Sequence, residues 1–180
     1  RHETVRLLAD MGADLNLANY NGATPVMAAV RGRIEVVRVL VDKGVKLDTR
    51  DKLGRTALYM AAEKGHYETV RLLVKSGANT DLAGPCLKKT FMKPYPRPFM
   101  EPNPERQCTP LEVATAMRDF GRDHMFDSEL EGYQRVIDLL NVYEKRRIAR
   151  LGRMVGSATR QNPRGVKVPQ DMNQEIMKFL

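Results

Sequence analysis

Three histidines, two cysteines and one acidic stretch are the residues of this 180-residue sequence whose types could do chemistry. Acid–base catalysis or metal binding needs such groups to converge, and the spacing here keeps them apart. His2 lies near the start, His66 follows Gly65, and His124 sits among Asp119, Asp123, Asp127, Glu129 and Glu131. His124 with Asp123 and Asp127 could take a cation, but a solvated acidic loop is the stronger reading. Cys86 and Cys108 lack the Cys-x-x-Cys spacing of a redox or zinc pair. They bracket a proline-rich stretch and could meet at its base, though two reduced thiols are the expectation. No glycine-rich loop ending in Gly-Lys-Ser/Thr is present to cradle a nucleotide. These residues predict no catalytic centre, no cofactor, no metal and no small-molecule substrate: the chain reads as something other than an enzyme.

The elements around them belong to a chain of ordinary composition, with 42% hydrophobic and 29% charged residues and a net charge of +8. That suits one cored domain or a short repeat array with a tail. No apolar run approaches the ~20 residues of a membrane span. With two cysteines and no Asn-x-Ser/Thr acceptor, secretion is not expected, so the reading is intracellular, cytoplasmic or organellar, mitochondrion included. The sequence opens on Arg1 without a secretory signal, and further chain before it is expected.

Self-similarity organises the chain. Gly22-Ala23-Thr24-Pro25 leads to Ala28-Ala29, Gly32, the apolar run from Ile34 to Val41 and Lys43-Gly44. Thirty-two or 33 positions later come Gly54-Arg55-Thr56-Ala57-Leu58, Ala61-Ala62, Gly65-His66, the run from Val70 to Val74 and Ser76-Gly77. A half-copy runs from Glu3 to Asp14. A looser copy starts at Thr109-Pro110-Leu111 and resumes at Gly132-Tyr133 before the run from Val136 to Leu140.

This order resembles the ankyrin repeat, G-x-T-P-L-H-x-A-A-x-x-G-H, an apolar helix, then G-A-x-x-N. The resemblance implies an all-α ankyrin repeat solenoid: helix-turn-helix pairs with short hairpin tips, followed by an extended basic C-terminal arm. The segments are a partial repeat 1–17, repeats 18–49 and 50–83, a Pro-rich insertion 84–108, a divergent repeat 109–143 with an acidic insertion 118–131, and an arm 144–180. Thr24 reaches Gly32 one step sooner than Thr56 reaches Gly65, so the first helix of the second copy should be short. The motif histidine after Thr-Pro is missing, with Met27 and Tyr59 near or at its place, while His66 keeps the structural histidine. Gly44 and Gly77 suit left-handed helix ends. The half-copy has no first helix, so Val5, Leu7 and Leu8 should be covered by further chain or a partner.

The insertion combines Pro85, Pro94, Pro96, Pro98, Pro102 and Pro104 with Phe91, Tyr95 and Phe99, which excludes a helix or a central strand. After Leu140 the last helix should continue until Gly152 and Gly156 end it. Residues 144–180 carry nine Lys and Arg against three Asp and Glu, or +6. Their terminal Met172, Ile176 and Phe179-Leu180 suit a short helix that docks.

Binding is the chemistry these features support. The family's variable positions fall on Ala18, Tyr20, Asn21, Ala23, Val30 and Arg31, and one repeat later on Arg50, Lys52, Leu53, Arg55, Glu63 and Lys64. From these come the expected partner-binding residues Tyr20, Asn21, Arg31, Arg50, Lys52, Leu53, Arg55 and Lys64, extended by Phe91, Tyr95, Arg97 and Phe99. A solvated charged face competes with that reading, as does a cluster of insert aromatics plugging the chain's own groove. The basic arm, Lys145, Arg146, Arg147, Arg150, Arg153, Arg160, Arg164 and Lys167, can meet acidic protein or RNA. The expected function is a protein interaction scaffold within a multi-subunit complex. A subunit of a ribonucleoprotein such as an organellar ribosome, and the regulatory region of a larger enzyme, are the alternatives.

Overall fold

The computed structural model describes residues 2–90, 99–122 and 127–160, with side chains described outside 87–105 and 152–160. Its elements are α1 (His2–Asp10), α2 (Pro25–Ala29), α3 (Ile34–Asp42), α4 (Ala57–Glu63), α5 (Tyr67–Lys75), β1 (Gly84–Thr90), β2 (Phe99–Cys108), α6 (Pro110–Gly121) and α7 (Asp127–Arg160). Residues 1–141 form one compact unit and 142–180 a second.

Within the first unit, α2 pairs with α3 and α4 with α5, while α1, α3 and α5 make one row and α2, α4 and α6 another. Each helix buries one stripe against this double row. Val37 and Leu40 of α3 and Val70 and Leu73 of α5 are fully buried, as are Ala61 and Ala62, whose small side chains let the rows approach. Each such aliphatic side chain is worth ~1.5–3 kcal/mol on burial. Gly44 and Gly77 end α3 and α5 at positive φ, 73° and 92°.

The missing residue in the second copy has the expected result: α2 spans five residues and α4 seven. Their starts also differ. Thr56 Oγ1 accepts the Tyr59 amide at 3.1 Å, whereas Thr24 Oγ1 is buried without a hydrogen-bond partner among the described residues. The Thr24 amide donates instead to the Met27 sulfur at 3.5 Å. At α6 the start is complete, since Thr109 and Glu112 each accept the other's backbone amide, at 3.3 and 2.8 Å.

At the start of the stack, α1 has no buried residue, and Leu7 and Leu8 are 63% and 49% exposed. Nothing among the described residues covers them. Lys43 reaches from the end of α3 to Asp10 at 2.6 Å and ties α1 down.

Three expectations are corrected. The repeats make a helical solenoid as expected, but the all-α class is amended by an antiparallel ribbon of β1 and β2, with Gly84 opposite Cys108 and Thr90 opposite Phe99. A two-stranded ribbon has only edges, so Pro85, Pro102 and Pro104 fit within it. Cys86 and Cys108 are not reduced thiols: they form a buried disulfide with Cα atoms 4.9 Å apart. Finally, α7 continues past Gly152 and Gly156 to Arg160, because an interior glycine costs a helix only ~1 kcal/mol. The expected terminal helix, His124, and Phe91, Tyr95 and Arg97 lie outside the described residues. Among those described, no helix is long and apolar enough to cross a membrane.

Tyr59 joins the ribbon to the stack. Its ring lies so close to Gly84 that a Cβ there would sit 3.0 Å from it, and its hydroxyl donates to the Pro85 carbonyl.

Two outcomes follow from these starts and this clamp. Thr56→Val should destabilise the fold by about 1 kcal/mol through the lost cap, whereas Thr24→Val should be neutral or stabilising, because it removes a buried hydroxyl with no partner; urea unfolding of both variants checks the contrast. Cys86→Ala with Cys108→Ala should cost about 3 kcal/mol by freeing the loop that the bond closes. Adding a thiol reductant to the wild type should lower its unfolding midpoint while leaving the double variant unchanged.

Candidate functional site

The tips between helix pairs are built from one local pattern used twice. Asn19 Oδ1 accepts the amides of Asn21 and Ala23, at 2.9 and 3.0 Å. Asp51 Oδ1 accepts those of Leu53 and Arg55, at 3.0 and 2.8 Å. A polar side chain two residues before each crest thereby fixes the turn. The crests are joined directly by the Lys52 amide, which donates to the Asn21 carbonyl at 3.0 Å. That join needs Gly22, whose added Cβ would lie 3.0 Å from the Lys52 nitrogen at a φ of +77°.

Locked in this way, neighbouring tips project Tyr20 and Leu53 outward, 81% and 54% exposed, with Asn21, Arg50 and Lys52 exposed beside them. Below the tips is a hollow of about 330 Å³ lined by Arg31, Arg55, Met60, Glu63 and Lys64. Arg31 and Lys64 hold equivalent places at the ends of successive first helices. Arg55 is spoken for: its Nε and one terminal nitrogen donate to Asp51 Oδ2 at 2.9 and 2.8 Å. The half-buried guanidinium and buried carboxylate make a rigid pair with little freedom to meet a ligand.

Behind the hollow, Tyr133 of α7 donates from its hydroxyl to the Glu63 carbonyl at 3.0 Å. Its ring covers Gly65, where a Cβ would come within 3.1 Å. Burial first, then the carboxylates of Glu63 and Glu129, push the Tyr133 phenol up to about 12, so it stays a donor. Burial likewise raises Tyr59, with Glu63 adding to the effect.

Of the expected contact residues, Tyr20, Asn21, Arg50, Lys52 and Leu53 are thus gathered on the tips, and Arg31, Arg55 and Lys64 in the hollow. Val30 is corrected: at 1% exposure, just past the end of α2, it belongs to the core. Met60, 4% exposed, is a core residue that forms part of the hollow's floor. Phe99 opens β2, with only its backbone described. In the second unit, α7 exposes Lys145, Arg146 and Arg150. Arg147 is on the same stretch, and Arg153 and Arg160 are helical in backbone; Arg164 and Lys167 lie outside the described residues.

The opposite side of the stack is charged differently. A hollow of about 250 Å³ is lined there by Ile34, Arg38, Glu68, Arg71, Leu72 and Lys75. Arg38 pairs with Glu35 and Arg71 with Glu68, each at 3.5 Å. Among the described residues, no group of histidine, cysteine and carboxylate side chains could hold a metal ion.

Comparison with known proteins finds that the family model described as Ankyrin repeats (3 copies) matches residues 1–83. Over 56 residues the chain is 41% identical to protein phosphatase 1 regulatory subunit 12A of Mus musculus, and to the same extent to that of Rattus norvegicus. That stretch is 31% of this chain and 5% of either relative, so the chain spans a small fraction of their length.

His66, at the start of α5, gives the site's edge a measurable pH response. Burial, then the Lys64 ammonium, holds its imidazole below the ordinary 6.5. The unfolded chain therefore takes up this proton first as pH falls, so the contribution is fully present above about 6.5 and is lost below it. Unfolding free energy should decline as pH falls below about 6.5 in the wild type, with a flatter slope in His66→Asn, measured by denaturant titration on both sides of that pH.

Proposed function

Residues 1–83 are ankyrin repeats, and from that premise we propose that the chain is a non-enzymatic protein interaction scaffold whose tips and hollow hold a protein partner. The observation that carries this reading is the pairing of Tyr20 and Leu53, two large exposed side chains on tips joined by a backbone hydrogen bond. Rigid aromatic and aliphatic anchors beside cations are what a partner-binding surface uses. The Pro-rich insertion, tied to the stack through Tyr59, and the basic arm extend the contact beyond the repeats.

A second reading has one observation in its favour. The matched stretch of the mouse and rat relatives lies in a protein named as a phosphatase regulatory subunit. The repeats here can serve the same kind of role, placing a catalytic partner rather than carrying catalysis. The exposed Lys145, Arg146 and Arg150 also suit RNA, as in a ribonucleoprotein subunit.

Affinity capture from the native source, with and without nuclease, separates these readings. Tyr20→Ala with Leu53→Ala should lose the principal partner, and Arg38→Glu with Arg71→Glu, on the opposite side, should retain it. Retention by the tip variant would overturn the reading. A partner lost only on nuclease treatment would put the RNA reading first, and a recurrent catalytic subunit the regulatory one.

A further inference from the structure

We propose that the partner segment seated on the tips and hollow is acidic protein carrying an apolar or aromatic side chain, an inference that rests on the scaffold reading and deepens it. The argument is an asymmetry of counter-charge. On the side formed by the second helices, Arg38 is matched by Glu35, Arg71 by Glu68 and Lys43 by Asp10, while Arg6 and Lys75 have no carboxylate at ion-pair distance among the described residues. Arg135 lies 3.8 Å from Glu68 and 4.0 Å over the Tyr67 ring. On the tip side, Arg31, Arg50, Lys52 and Lys64 have no carboxylate at ion-pair distance among the described residues. Arg55 is the exception, being satisfied by Asp51.

Arg31 and Lys64 in the hollow and Arg50 and Lys52 on the tips above it add their potentials on one side of the stack. Such a surface attracts carboxylates and disfavours basic partners. Apolar anchoring is supplied next to it by Tyr20 and Leu53. A peptide can therefore give carboxylates to Arg31 and Lys64 while laying one hydrophobic side chain between the tips. A nucleic acid fits less well, because Glu63 lines the same hollow and would face its phosphates. A peptide can meet Glu63 with a backbone amide.

The test uses three labelled probes against the purified full chain: a peptide with glutamates flanking a central tyrosine, its glutamine analogue, and an oligouridine of matched charge. The acidic peptide should bind, weaken with salt, and lose about tenfold in affinity on Arg31→Glu with Lys64→Glu. Arg38→Glu with Arg71→Glu should leave it unchanged, with thermal melts confirming that both variants are folded. Equal binding of the glutamine analogue, tighter binding of oligouridine at the same residues, or no binding at millimolar peptide would each overturn the proposal. Native capture tells this failure from that of the scaffold reading. A partner lost with Tyr20→Ala and Leu53→Ala but kept by Arg31→Glu and Lys64→Glu leaves the scaffold standing and removes its acidic specificity.

Discussion

Everything in the first unit depends on the distance between successive repeats, and that distance is held by polar bonds at the loops as much as by apolar helix faces. Asn16 Oδ1 accepts the Lys46 amide at 2.7 Å, and Asp48 Oδ1 accepts the Asn79 amide at 2.9 Å, one repeat further on. The Lys52 amide closes the same gap at the tips. Apolar contact is non-directional and would tolerate sliding; hydrogen bonds along the loops that join successive helix pairs do not. A helix pair of this size cannot bury its stripe alone, so the spacing is also the condition of its stability.

Two tyrosines turn that regular stack into a particular molecule. Tyr59 occupies the place at which the ankyrin pattern has histidine, and its longer side chain reaches beyond the first-helix turn to the Pro85 carbonyl. The inserted ribbon is thereby fastened to the third repeat at the end where Cys86 and Cys108 close it. Tyr133 does the corresponding work for the start of α7, bonding to the Glu63 carbonyl and lying against Gly65. Glycine at 65 is required twice, by its φ of +66° and by the ring above it. Thr24 is the weak point in the same architecture, since its hydroxyl is buried without a partner among the described residues where that of Thr56 accepts the Tyr59 amide.

The repeat itself was legible in the sequence because its signals are local: Thr-Pro at a helix start, Ala-Ala at a close approach, glycine at a left-handed end. The shortened α2 could be read from one missing position. The ribbon was not legible, because pairing Gly84 with Cys108 is a long-range event and the prolines that argue against a central strand say nothing about an isolated hairpin. The disulfide was hidden for the same reason, since sequence spacing cannot tell whether two Cα atoms lie within bonding range. At the candidate site, the exposed tip residues could be carried over position by position. Val30 could not, because its burial just past the end of α2 is set by packing and not by its place in the repeat.

The electrostatic character of the two sides follows from where the acids fall within the repeat. Glu35 and Glu68 occupy the first turn of α3 and α5, where they complement the helix dipole and stand three residues before Arg38 and Arg71. Pairing of Arg38 and Arg71 is therefore a by-product of making those helices. First helices have no such requirement, since α2 and α4 begin with Thr and carry no acid in their first turn. The tip side is thus free to keep cations unmatched without weakening the stack. Of the acids there, Asp51 is used to build the turn and hold Arg55, and Glu63 lines the hollow. A surface whose charges the fold does not need can be set by what it binds, which is why the unmatched cations, rather than the paired ones opposite, carry information about a partner.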